Sequence, residues 1–79
     1  MTQKYILLET TKALKEGLFN DLKEMVKEAQ LVIKDFQNTE VTSDLKESLN
    51  FMKRLSQNKY KSFQSVQKAA KKVLNNYTH

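Results

Sequence analysis

Apolar positions along this chain recur at steps of three and four, the spacing of an amphipathic helix face. The clearest row is Leu18, Leu22, Met25, Ala29, Val32 and Phe36, with Phe19, Val26 and Ile33 beside it widening the stripe into a core-facing surface. Opposite that stripe stand Lys23, Glu24, Lys27, Glu28, Lys34 and Asp35. Several of these are opposite charges three or four residues apart, each pair adding a few tenths of a kcal/mol, so this reads as a solvated face. Upstream, Tyr5 to Leu8, Ala13 and Leu14 form a first apolar cluster, and Leu7, Leu14 and Leu18 fit one helix face. Gly17 lies between this cluster and the long row. Inside a helix it costs about 1 kcal/mol relative to alanine, and just past a helix end it is the preferred residue. The pattern therefore predicts a short helix, a break or bend at Gly17, and a longer second helix; one helix running through Gly17 is the alternative.

Asn38 to Ser43 is the main polar turn. Ser43 or Asp44 can cap the next helix, and Asp44 with Glu47 has the capping-box spacing. The seam of that helix is Leu45, Leu49, Met52 and Leu55, flanked by Ser48 and Phe51. Ser56 to Ser62 is polar, yet the phase survives it: counting on from Met52 gives Ser56, Lys59, Phe63, Val66, Ala70, Val73 and Tyr77. Either one long helix has a wet middle, or the chain turns at Asn58 to Ser62 and Ser62 caps a last helix. Ordinary helix lengths of about 11 to 12 residues favour the turn. The expected fold is all-α: a small antiparallel bundle of four helices, roughly 3–16, 18–37, 44–57 and 62–77, in a single domain spanning 1–79. A two-helix hairpin, 12–38 against 44–77, is the alternative. Leu22, Val32, Leu49, Val66 and Val73 are expected in the core. A closed four-helix core implies a monomer and an open hairpin implies a dimer.

Composition narrows the picture. Proline is absent and glycine occurs once, so a β-rich fold would lack its turn residues. The 79 residues allow one core and no second. With no cysteine there are no disulfides or thiolate metal sites, which favours a reducing, cytoplasmic location. The longest apolar run, Tyr5 to Leu8, falls far short of the roughly 20 residues of a membrane span, and no secretory h-region follows the N-terminus. The sole histidine, His79, is the C-terminal residue. Glu24 and Glu28 share a face, but Lys23 and Lys27 beside them make surface ion pairs the better account. No Gly-rich loop is present to hold a phosphate. No catalytic, cofactor-binding or metal residue is expected, and the chain reads as a non-enzymatic interaction protein.

Charge adds the functional hint. The net charge of +5 is unevenly spread: nine acids outweigh seven bases through Glu47, and the stretch from Ser48 onward holds seven cations and no carboxylate. Lys53, Arg54, Lys59, Lys61, Lys68, Lys71 and Lys72 are therefore the candidate partner-binding face. Such asymmetry points to an anionic partner. Phosphates of nucleic acid would suit seven cations, but specific readout usually needs Arg, Asn or Gln aimed at base edges, and only one cation is arginine. An anionic membrane surface would attract each Lys or Arg by about 1 kcal/mol. The apolar face is needed for the core, which limits such contact to the periphery.

The stretch from Leu22 to Val73 resembles the immunity proteins of pediocin-like bacteriocins. It reads LKEMVKEAQLVIKD, a polar turn, DLKESLNFMKRLSQNKYK, then SFQSVQKAAKKV. The likeness lies in helix order and in the NKYKSFQSVQK segment entering the last helix. The chain is shorter than is usual in that family. The resemblance implies a four-helix bundle that protects the producing cell by recognising the bacteriocin on its membrane receptor, at the inner membrane face, through its C-terminal half. The layout is also similar to the helical hairpins of type III secretion chaperones and needle subunits, without the proline-flanked turn usual in needles.

Overall fold

Helix boundaries in this chain are set by its caps. A computed structural model describes residues 3–37 and 40–76. It shows α1 (Gln3–Glu16), α2 (Leu22–Asp35), α3 (Lys46–Ser56) and α4 (Phe63–Asn75), with a 3₁₀ turn, Ser43–Leu45, leading into α3. No strand occurs among the described residues. Gly17 ends α1 in a left-handed conformation, φ +69°. Its N–H donates to the Leu14 carbonyl at 3.2 Å and that of Leu18 to the Ala13 carbonyl at 3.1 Å. These two bonds are the Schellman pair that satisfies the last carbonyls of a helix. Asn58 repeats the device after α3, with φ +59°. There the Asn58 N–H reaches the Leu55 carbonyl at 2.9 Å and the Lys59 N–H reaches that of Arg54 at 3.2 Å. Asparagine tolerates this region better than other non-glycine residues because its short polar side chain bonds locally.

The starts are equally explicit. Asp21 caps α2 by accepting from the Glu24 N–H at 2.9 Å, while the Glu24 carboxylate accepts from the backbone and side-chain amides of Asn20. Ser62 and Ser65 form a reciprocal capping box on α4, each hydroxyl accepting the other's N–H at 3.1 Å. Together these four devices explain why the chain breaks at 17–21 and 57–62 although the apolar phase runs on.

α1 packs against α4 and α2 against α3, with α3 also touching α4 and α1. Tyr5 lies beside Leu74 and Asn75, and the Gln67 side chain donates to the Lys15 carbonyl, so α1 and α4 run antiparallel. The core takes Leu7 and Leu14 from α1, Met25, Ala29 and Val32 from α2, Phe51, Met52 and Leu55 from α3, and Val66, Ala70 and Val73 from α4. Two small polar residues join it. Thr11 donates to the Leu7 carbonyl one turn back at 2.7 Å, which satisfies its hydroxyl in place; Ser48 is the other. Phe51 is the largest fully buried side chain, and Tyr60 meets its ring edge-on at 5.7 Å between centroids. That contact pins the α3–α4 loop to the core.

Four helices on one core exclude the hairpin and the helix running through Gly17. The second helix begins at Leu22, not residue 18, because the Schellman turn and the Asp21 cap occupy the connection. Leu18, expected in the seam, is 68% exposed in that connection, and Leu22, expected in the core, is half-buried in the first turn of α2. Val32, Leu49, Val66 and Val73 are buried as expected. The third helix starts two residues after the expected 44, with Ser43 inside the 3₁₀ turn and no side-chain cap at Thr42 or Leu45. Glu47 instead accepts from the Asn76 side-chain amide, tying the start of α3 to the end of α4. The expected positions Asn38, Thr39, Tyr77 and His79 lie outside the described residues, as does the Asp44 side chain.

Candidate functional site

The seven sequence-predicted cations are all exposed, but they do not share one face. Lys53 and Arg54 occupy the last turn of α3 and Lys72 that of α4. There a positive charge meets the negative end of the helix dipole, worth about 0.3–1 kcal/mol at an exposed site. Lys15 and Lys34 stand in the same position on α1 and α2, so a basic last turn is a general feature of this bundle. Arg54 also supports the core indirectly: its Nε donates to the Tyr60 hydroxyl at 3.3 Å, steadying the ring that packs on Phe51. Lys59 and Lys61 lie in the α3–α4 loop.

Lys68 and Lys71 are different. They project from α4 toward α1, where the antiparallel pair leaves a surface groove. One stretch, about 420 Å³, is lined by Tyr5, Leu8, Glu9, Lys12, Lys15, Lys71, Leu74 and Asn75. A second, about 490 Å³, continues it past Lys15, Gln64, Gln67, Lys68 and Lys71. The two share Lys15 and Lys71, so they adjoin as a shallow trough along the seam. Leu8 and Leu74 are half-buried in it, and Tyr5 is 52% exposed beside them. The trough therefore mixes apolar and cationic groups: Tyr5, Leu8 and Leu74 share one stretch with Lys12, Lys15 and Lys71, and Lys68 joins them in the second.

Charge compensation there is sparse. Among the described residues Glu9 is the one acid lining the trough, and its carboxylate stands 3.9 Å from the Lys12 ammonium, near the outer limit of an ion pair. Lys68 has Lys71 and Lys72 at i+3 and i+4 on its own helix, a like-charge arrangement that destabilises by a few tenths of a kcal/mol per pair. Elsewhere, the hollow between α2 and Asn58 holds a single cation, Lys23. Among the described residues no group of three or more His, Asp or Glu side chains gathers where a metal ion would be held.

Lys12 and Lys15 are hidden in the sequence because the first 47 residues are acidic in sum, and Tyr5, Leu8 and Leu74 carry no signal that sets them apart from core positions. Helical spacing was the available signal: Leu8, Lys12 and Lys15 fall on one side of α1, at steps of four and three. No protein-family model, curated protein or solved structure matches the chain. No helix among the described residues is long and apolar enough to cross a membrane. The class the fold defines is thus a small four-helix bundle with a cationic seam between α1 and α4.

Proposed function

We propose that this chain is a non-enzymatic interaction protein that meets an anionic partner through its basic C-terminal half, most consistently as a bacteriocin immunity protein acting in the cytoplasm at the inner membrane face. The observation that carries the reading is the cluster of exposed like charges Lys68, Lys71 and Lys72 on α4, in a stretch with no carboxylate after Glu47. A solvated face tends to mix signs, as α2 does; this one accepts mutual repulsion. Clustered positive charge raises association rates with anionic surfaces and selects against cationic ones. The four-helix architecture and the likeness of Leu22 to Val73 to pediocin-type immunity proteins support the particular assignment.

The test is a variant in which Lys59, Lys61, Lys68, Lys71 and Lys72 become Gln, with Arg54 left in place because it holds Tyr60. Its helicity should match the parent, since exposed charges contribute about 0–1 kcal/mol each. Cells expressing it and challenged with pediocin-like bacteriocins should lose the protection that the parent confers. Full protection by the folded variant refutes the basic surface. No protection by the parent against any such peptide refutes the immunity assignment. The exposure of all seven cations also favours a second reading, nucleic-acid binding. Duplex DNA binding that falls steeply with salt would support it over the first.

A further inference from the structure

We infer that the trough between α1 and α4 is a docking site for an acidic amphipathic helix of a protein partner, with α1 supplying half of the recognition. The inference deepens the interaction reading above and rests on it, but moves the working surface from the C-terminal segment alone to a seam built by both ends of the chain.

Shape is the first argument. The trough follows α1 from Tyr5 to Lys15, ten steps along the helix, or about 15 Å at 1.5 Å per residue. That length accommodates about three turns of a partner helix. Leu8 and Leu74, which line it, are half-buried, while Lys12, Lys15, Lys68 and Lys71, which also line it, are exposed. A flat bilayer is met by protruding apolar side chains, as on an interfacial amphipathic helix. A trough lined by half-buried side chains fits a convex ligand that pushes a side chain inward. Duplex DNA would engage the lysines but leave Leu8 and Leu74 unused, and Glu9 would face its phosphates.

Chemistry is the second argument. An amphipathic helix docks through apolar anchors at i, i+3 or i+4, and i+7. Here Tyr5, Leu8 and Leu74 offer the apolar contacts for such anchors. Lys12, Lys15 and Lys71 line the same stretch as those residues, so the partner must present carboxylates beside its apolar stripe, to Lys12, Lys15, Lys68 and Lys71. A second copy of this chain is a poor occupant, because the net charge of +5 opposes self-association. The partner therefore carries an apolar stripe with acids along its flanks.

The experiment uses the full chain and a synthetic helical peptide of about 14 residues, with leucines at i, i+3 and i+7 and glutamates on the flanks of that stripe. Calorimetric titration reads affinity, and backbone amide NMR reads location. We expect one-to-one binding with shifts concentrated in 5–15 and 64–75. Replacing the peptide's leucines with serine, or its glutamates with lysine, should each weaken binding by about tenfold or more. On the protein, Lys12→Gln with Lys15→Gln should weaken it by about three- to tenfold, and Leu74→Ala by about tenfold. Lys23→Gln with Lys27→Gln, an equal charge loss on α2, should change it less than about twofold.

No peptide binding, equal losses from the α1 and α2 variants, or shifts mapping outside the trough would each overturn the inference. So would tighter binding of the trough to phosphatidylglycerol vesicles than to the peptide, which would assign the surface to lipid. The two proposals fail separately. Peptide binding in a chain that protects against no bacteriocin retires the immunity assignment alone. Full protection by a Lys12→Gln, Lys15→Gln, Leu74→Ala variant that no longer binds peptide retires the trough and leaves the C-terminal surface standing.

Discussion

Replacing Gly17 with alanine should destabilise the bundle, two separable costs outweighing one gain. Gly17 sits at φ +69°, where an L-residue places Cβ against the following carbonyl at a cost of about 1–2 kcal/mol. Against this, alanine restricts the unfolded chain and returns about 0.4–1 kcal/mol. The new Cβ would also stand 2.6 Å from Nε2 of Gln67 and 3.0 Å from Cε1 of Phe63. The Gln67 amide is the flexible end of a side chain and can withdraw, but withdrawal gives up its 3.2 Å bond to the Lys15 carbonyl. That exposed bond is worth about 0.5–1 kcal/mol. The balance is a loss of about 1.5 kcal/mol, or about 6–12 °C in Tm for a domain of this size. Thermal and urea melts of the variant measure it.

A double-mutant cycle with Gln67→Ala separates the parts. Once the amide is gone, the penalty at position 17 should shrink by about the value of the lost bond, leaving the backbone cost and the Phe63 contact. A Gly17→Ala variant that melts within a degree of the parent would refute both the left-handed helix end and the assignment of 17–21 as a true break. The helix running through Gly17 would then return, since alanine stabilises a helix interior by about 1 kcal/mol over glycine.

Other outcomes follow from the caps and the core. Ser62→Ala removes the α4 N-cap and one side of the Ser62–Ser65 exchange, and should cost about 1 kcal/mol, read as a drop of about 4–8 °C in Tm. Leu55→Ala, at a fully buried position, should cost about 2–5 kcal/mol, whereas Leu22→Ala should cost less than that range because Leu22 is only half-buried; equal urea midpoints would contradict this core. Sedimentation at several concentrations should find a monomer, since the four helices close one core and the chain's positive charge opposes association.

Local rules read the architecture well where a residue's own backbone decided the matter. Gly17 is legible as a helix end because no other residue takes that conformation as cheaply. Ser62 is legible as a cap because its hydroxyl competes for backbone amides. Asn58 does for α3 what Gly17 does for α1, yet an asparagine in a polar stretch has many other uses, so only its φ of +59° reveals the role. Leu18 departs from expectation for a related reason. Its phase with Leu22 and Met25 is correct, but phase cannot tell that a Schellman turn and an N-cap have consumed the residues between. The unbroken phase from Met52 to Val73 has the same origin: α3 and α4 face one core, so their apolar rows align across a loop that is not helical.

The candidate site was harder to read, because its charge is assembled from both ends of the chain. A window on 48–79 finds Lys68 and Lys71, and a window on 1–47 finds an acidic surplus; neither sees four ammonium groups along one trough. The same structure also divides the seven C-terminal cations. Those in last turns, Lys53, Arg54 and Lys72, offset a helix dipole and have a reason to be basic without any partner. Lys68 and Lys71 lie earlier in α4, gain less from that dipole, and sit beside one another and beside α1's lysines. A fold selected for stability alone would place an acid at one of these positions and gain a few tenths of a kcal/mol from each new i,i+3 or i,i+4 pair. Keeping lysine there maintains a positive potential beside apolar side chains, which is the combination an acidic amphipathic segment requires.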